Sequence, residues 1–213
     1  MKGAFWREPP GEKLFSNRFL ARLIAPLVLE QFLAITVGLA DTMMISSVGE
    51  AAMSGVSLVD MINNLLIALL AALATGGAVV TSQMLGAKQE KEACRAANQL
   101  LYVAILAGGS IMGLVLLFNR GLLKLLFGGI EADVMESAVT YLMYTAMSFP
   151  FLGLYNACAA LFRSMGNSRL TLRISVMMNI VNVAGNALCI FVLRMGVAGV
   201  AVPSLVSRAL AAF

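Results

Sequence analysis

Residues 65–85 read LLIALLAALATGGAVVTSQML. The stretch carries no charge, and at roughly 1.5 Å per residue it covers the ~30 Å hydrocarbon core of a bilayer. Leu100–Asn119 and Ile174–Leu193 are likewise charge-free and of similar length. Inside lipid every backbone N–H and C=O must be paired within its own segment, so each stretch is predicted to be a helix. A transmembrane barrel would alternate polarity in segments of about ten residues, and no such alternation is seen. The class that follows is all-α and polytopic.

Working outward from these runs, six apolar segments are predicted, over about 19–48, 51–85, 93–118, 133–162, 170–193 and 197–213. Residues 1–18 are polar, contain Pro9 and Pro10, and lack the early apolar core of a cleavable signal peptide. Phe5 and Trp6 suit a segment lying in the membrane interface. The whole chain is 60% apolar and 12% charged, against about 25% charged in a soluble domain. Its formal charge of +4 is not gathered into a basic patch interleaved with aromatics, which argues against nucleic acid. Cys94, Cys158 and Cys189 form no CxxC pair and histidine is absent, which argues against structural zinc and a disulfide framework. With no Walker A pattern, GxSxG or HExxH, neither ATP hydrolysis nor those hydrolase types is supported, and no enzyme is expected.

Basic residues set the orientation. Lys2, Arg7, Lys13, Arg18 and Arg22 precede or open the first segment. Lys88, Lys91 and Arg95 lie between the second and third, and Arg163, Arg169 and Arg173 between the fourth and fifth. The opposite side holds Arg120 and Lys124 in one loop and Arg194 in another. The expectation is a multi-pass protein of the cell (inner) membrane with a cytoplasmic N-terminus. Ala211–Ala212–Phe213 ends an apolar run that contains Arg208 and no closing charge, as the front part of a longer protein would.

Charges inside a bilayer cost from about 2.5 to over 10 kcal/mol, so they usually mark function. Glu30 and Asp41 in the first segment and Asp60 in the second are such charges. Glu30 and Asp41 are eleven positions apart, which at about 100° per residue puts them on one helix face. Pro26, a turn before Glu30, removes a backbone hydrogen bond and is a candidate hinge. Asn179, Asn182 and Asn186 follow helical spacing and form one polar stripe on the fifth segment. Asp41, Asp60, Asn182 and Asn186 are predicted at comparable depth, with Asn179, Asn63 and Asn64 somewhat deeper, so that all can face one cavity. Each residue has a plainer reading: asparagine as interhelical glue, Asp60 as a solvated charge near a surface, Glu30 as a structural hydrogen-bond partner. Asp41, a carboxylate among amides, is suited to reversible protonation or to holding Na⁺ through oxygens. Gly109 and Gly113 make a GxxxG that predicts close helix packing, as does Gly76–Gly77. The fourteen methionines suit either flexible core filling or an adaptable apolar pocket.

Several stretches together resemble the multidrug and toxic compound extrusion (MATE) family, from about Ala25 to Phe213. They are Pro26–Leu27, Gly38-Leu-Ala-Asp41-Thr-Met-Met followed by Val48-Gly49, and Ala74-Thr-Gly76-Gly77-Ala-Val-Val. Ser82-Gln83-Met-Leu-Gly86-Ala87, Leu161-Phe-Arg163-Ser-Met-Gly166-Asn-Ser and the Asn179–Asn186 helix complete the set. The resemblance implies a twelve-helix, two-lobe antiporter that alternates between inward- and outward-facing states, with this chain as the N-terminal six-helix lobe. A C-terminal six-helix lobe, in the same longer chain or as a second half, is the implied partner, along with membrane lipid and small organic cations or drugs. It further implies H⁺ or Na⁺ coupling at Asp41, a shared cavity wall at Asn182 and Asn186, and a bend at Pro26. Some members carry aspartate where Asn186 stands, so the charge of this lobe is lower. No other cofactor is implied. Two rivals stand beside this reading: a lipid-linked oligosaccharide flippase of related fold, which calls for more cavity cations than Arg208, and a non-transporting half-length remnant.

Overall fold

The computed structural model describes residues 17–213. The segment 1–16, with Phe5 and Trp6, lies outside the described residues, as do the side chains of Arg18 and Arg22. Six α-helices follow in order: α1 Asn17–Ser46, α2 Glu50–Gly86, α3 Glu90–Phe127, α4 Ala132–Ser164, α5 Ser168–Ala187 and α6 Ala198–Ala212. A π-turn, Leu188–Val192, continues α5. Five stretches are long and apolar enough to cross a membrane: Ile24–Ser46, Glu50–Gly86, Glu90–Phe127, Ala132–Ser164 and Ser168–Val192. Ala198–Ala212 is apolar but shorter. The chain is an all-α, multi-pass membrane protein, as its hydropathy predicts.

Short turns make successive helices run in opposite directions. At the α4–α5 turn, Gly166 takes a φ of 81°, a left-handed backbone that other residues rarely adopt. There the Gly166 N–H reaches the Arg163 carbonyl at 3.0 Å and the Asn167 N–H the Phe162 carbonyl at 2.9 Å, closing the helix end.

α4 is the pillar of the bundle, packing most extensively against α2, α3 and α6. Ala138, Leu142, Ala146 and Phe149 of α4 are fully buried, together with Val59 of α2, Leu123 of α3 and Ala201 of α6. Small residues let the backbones meet. A Cβ on Gly108 of α3 would lie 2.6 Å from the Phe149 carbonyl oxygen, and one on Gly153 of α4 would lie 2.6 Å from that of Ala104. Gly55 of α2 meets the Ala138 nitrogen of α4 in the same way, at 2.8 Å.

Two expectations are corrected here. The GxxxG glycines Gly109 and Gly113 face open space, as does Gly76, and only Gly77 packs closely, against Leu100. The helix meets α4 through Gly108, about 100° around from its neighbour. Arg120 and Lys124 are not in a loop, because α3 kinks at Phe118 (φ −117°, ψ 19°) and runs on to Phe127. The leucines beyond the kink sustain that extension, with Leu123 buried against the core.

Candidate functional site

A cavity of about 670 Å³ runs between α1, α2, α4, α5 and α6. α1 supplies one long wall through Leu27, Glu30, Ala34, Val37, Asp41 and Ile45. Those positions recur every three to four residues and so fall on one helix face. The opposite stripe of α1, including Val28, Phe32, Leu39 and Met43, is exposed and apolar, as a lipid-facing or partner-facing surface is. Of the residues singled out from sequence, Glu30, Asp41, Asp60, Asn64, Asn179 and Asn182 all line this cavity. Asn186 and Pro26 are buried and are not among its lining residues.

At one end of the cavity a chain of amides crosses three helices. Asn186 Nδ2 donates to Asp41 Oδ1 at 2.7 Å and lies 3.2 Å from Asn182 Oδ1. Asn182 Nδ2 donates to Ser204 Oγ of α6 at 2.9 Å. The link from α5 to α1 joins residues 145 apart in sequence. The π-turn begins two residues after Asn186, and widened turns of this kind are frequent beside functional sites. Asn186 is fully buried, and its Oδ1 has no hydrogen-bond partner among the described residues. An orphan amide oxygen beside a carboxylate can accept the proton of a neutral Asp41, or join it in holding a cation through oxygens. Asn179 turns to its own helix, donating to Ser175 Oγ at 3.4 Å.

Asp60 is bound into the bundle. Its Oδ1 accepts from the Tyr141 hydroxyl of α4 at 3.1 Å and from Asn63 Nδ2 at 3.4 Å. Asn64, the other member of that pair, is exposed to the cavity. At the far end, Glu30 Oε1 accepts from the Tyr155 hydroxyl at 3.4 Å and lies 3.7 Å from an Arg163 guanidinium nitrogen. Glu30 Oε2 is buried without a partner among the described residues. α1 is continuous from Asn17 to Ser46 through Pro26, so Pro26 sits in an unbroken helix.

Sequence reasoning missed the partners contributed by α4, namely Tyr141 and Tyr155, and did not place Asn156 or Arg163 on the cavity wall. A tyrosine in an apolar run reads as a core aromatic, and only its tip, which needs a hydrogen-bond partner when buried, hints otherwise.

Comparison with known proteins places this architecture. Residues 26–188 match the MatE family model. The uncharacterized transporter YisQ of Bacillus subtilis is 31% identical over 203 residues, which is 93% of this chain and 44% of that protein. The probable multidrug resistance protein NorM of Thermotoga maritima is 27% identical over 196 residues, covering 89% of this chain and 41% of its own. A solved MOP superfamily transporter from Pyrococcus furiosus, described as having a binding pocket of reverse polarity, shares the fold. It superposes with a TM-score of 0.86 at 22% identity, over 92% of this chain and 43% of that one. The outward-facing conformation of a multidrug resistance MATE family transporter gives 0.85 at 21% identity, over 92% and 43%. The chain thus spans less than half the length of these relatives. With the family match running from the first-helix proline to the end of the polar fifth helix, this chain belongs to the MatE family of membrane transporters.

Proposed function

We propose that this chain forms the coupling lobe of a cation-driven antiporter that exports organic cations and drugs by alternating access, with no chemical step of its own. The observation that carries the reading is Asp41. Its carboxylate is half-buried at a cavity wall and accepts a hydrogen bond from the buried Asn186 amide, whose own oxygen has no partner among the described residues. Asp41, Asn182, Asn186 and Ser204 supply carboxylate, amide and hydroxyl oxygens, a donor set suited to a hard monovalent cation as well as to a proton. Binding of that ion at Asp41 favours one arrangement of α1, with Pro26 as its point of bending, and disfavours bound drug. The ion shifts this equilibrium only by its differential affinity for the two states. In this reading the opposite wall belongs to a second lobe, and the N-terminus lies on the cytoplasmic side, which the lysine and arginine distribution supports.

The test is ethidium export from proteoliposomes that hold the native full-length protein, under an imposed proton gradient and then a sodium gradient. Export should follow one gradient and fall to the empty-liposome level in Asp41→Asn. Native-rate export by Asp41→Asn under that same gradient would refute the assignment.

A further inference from the structure

One face of α5 turns away from the cavity. Ser175, Asn179 and Asn182 of this helix line the cavity. At about 100° per residue, Arg169, Arg173, Val176, Met177, Ile180 and Ala184 gather in a stripe on nearly the opposite side. All six are exposed, Ile180 to 64%. The stripe is ordered by chemistry. Two arginines come first, one turn and about 6 Å apart, and every later position is apolar. From Arg173 to Ala184 the face rises about 16 Å, close to one leaflet's share of a ~30 Å hydrocarbon core.

Charge pairing separates these two arginines from their neighbours. Arg95, Arg163, Arg169 and Arg173 all lie at the end of the bundle that carries the α2–α3 and α4–α5 turns. Arg95 is 2.9 Å from Glu92, and Arg163 is 3.7 Å from Glu30. Arg169 and Arg173 have no carboxylate within 4 Å among the described residues. Their planar forks are matched to phosphate oxygens. The apolar part of the stripe occupies hydrocarbon, which fixes both guanidiniums at the headgroup layer, where the phosphates are those of lipids. In the orientation proposed above this is the cytoplasmic leaflet, the one whose anionic lipids attract basic residues.

We propose that Arg169 and Arg173 together hold the headgroup phosphate of an anionic phospholipid, whose chain lies along Met177, Ile180 and Ala184. The lipid is a bound partner of α5 on the side away from the cavity. The inference therefore does not depend on what the cavity carries.

The experiment counts lipids retained by the native full-length protein, using native mass spectrometry from a neutral detergent. Phosphatidylglycerol and phosphatidylcholine with the same acyl chains are titrated separately. The first phosphatidylglycerol should bind about tenfold more tightly than the first phosphatidylcholine, the scale of one or two basic residues meeting an anionic lipid. That ratio should fall to about one when Arg169→Gln and Arg173→Gln are combined. It should be unchanged when Lys88→Gln and Lys91→Gln are combined, which removes the same charge from the same end of the bundle. Equal affinity for the two lipids in the native protein overturns the proposal without any variant. So does a ratio that survives loss of both arginines, or one that falls equally with both lysines, since general surface charge would then account for it. Glycerol phosphate, added at the lipid's own concentration, should leave the bound lipid in place. Displacement by it would make the arginine pair a soluble-anion site and overturn the lipid assignment.

Discussion

α1 and α4 are both long and apolar and each contains a proline, yet they stand at opposite extremes of the bundle. Over its most apolar span α4 is 56% buried, whereas α1 is 6% buried. α4 touches α2, α3, α5 and α6, while α1 leans mainly on α5 and more lightly on α2. Its polar ties to the bundle are the Asp41–Asn186 bond and the Glu30 contacts with Tyr155 and Arg163. Hydropathy alone does not separate them. A helix can be hydrophobic because it is a core or because it faces lipid and a cavity, and only the neighbours decide which. The difference suits a division of work: α4 packs into the core, and α1, with few neighbours, carries Asp41, the proposed ion site.

The largest expected effect lies on the loose helix. Asp41→Asn should reduce coupled ethidium export to background, yet change global unfolding by no more than about 1 kcal/mol, because the asparagine keeps the shape and an oxygen that can accept the Asn186 bond. Thermal unfolding of the same purified variant checks the second half. A large loss of stability would make Asp41 a structural residue and erase the contrast with α4.

Next comes the pillar. Gly153→Leu drives a side chain into the Ala104 carbonyl, where even a Cβ would lie 2.6 Å away. It should lower stability by about 1–3 kcal/mol, the scale of overpacking a tight contact. Gly109→Leu is the control, since nothing lies within 4 Å of a Cβ there. Unfolding of both variants in detergent should separate them; equal loss in both would show that α3 and α4 do not meet where Gly108 and Gly153 place them.

These pairs also mark what the sequence could and could not reveal. Charge-free runs announce helices because lipid imposes backbone pairing on each segment separately. The polar stripe of α5 was equally legible, since Asn179, Asn182 and Asn186 are three and four residues apart, and their local spacing alone puts them on one face. Which glycine meets a neighbour is a different matter: Gly108 and Gly109 are adjacent in sequence, and only the azimuth of α3 against α4 selects between them. Tyr141 and Tyr155 were likewise hidden, because their partners Asp60 and Glu30 lie 81 and 125 residues away. The extension of α3 past Phe118 was missed because Asn119, Arg120 and Gly121 together read as a helix end, while Leu123 continues the buried face.

The smallest effect tests how α1 is held. Glu30 is the point where α1 reaches α4, through the Tyr155 hydroxyl and the Arg163 guanidinium, at the other end of the cavity from Asp41. Glu30→Gln keeps the shape and removes the charge, so the Arg163 pairing weakens while the Tyr155 bond can persist. One such interaction is worth about 0.5–1.5 kcal/mol, which corresponds to roughly a two- to tenfold change in a local opening equilibrium. Amide hydrogen exchange on the native full-length protein should therefore speed up by that factor in α1 around Pro26 and Glu30, with α4 unchanged. Faster exchange in α4 as well would mean that the two helices open as one unit. In that case the division between a fixed pillar and a movable wall would have to be redrawn around the pair.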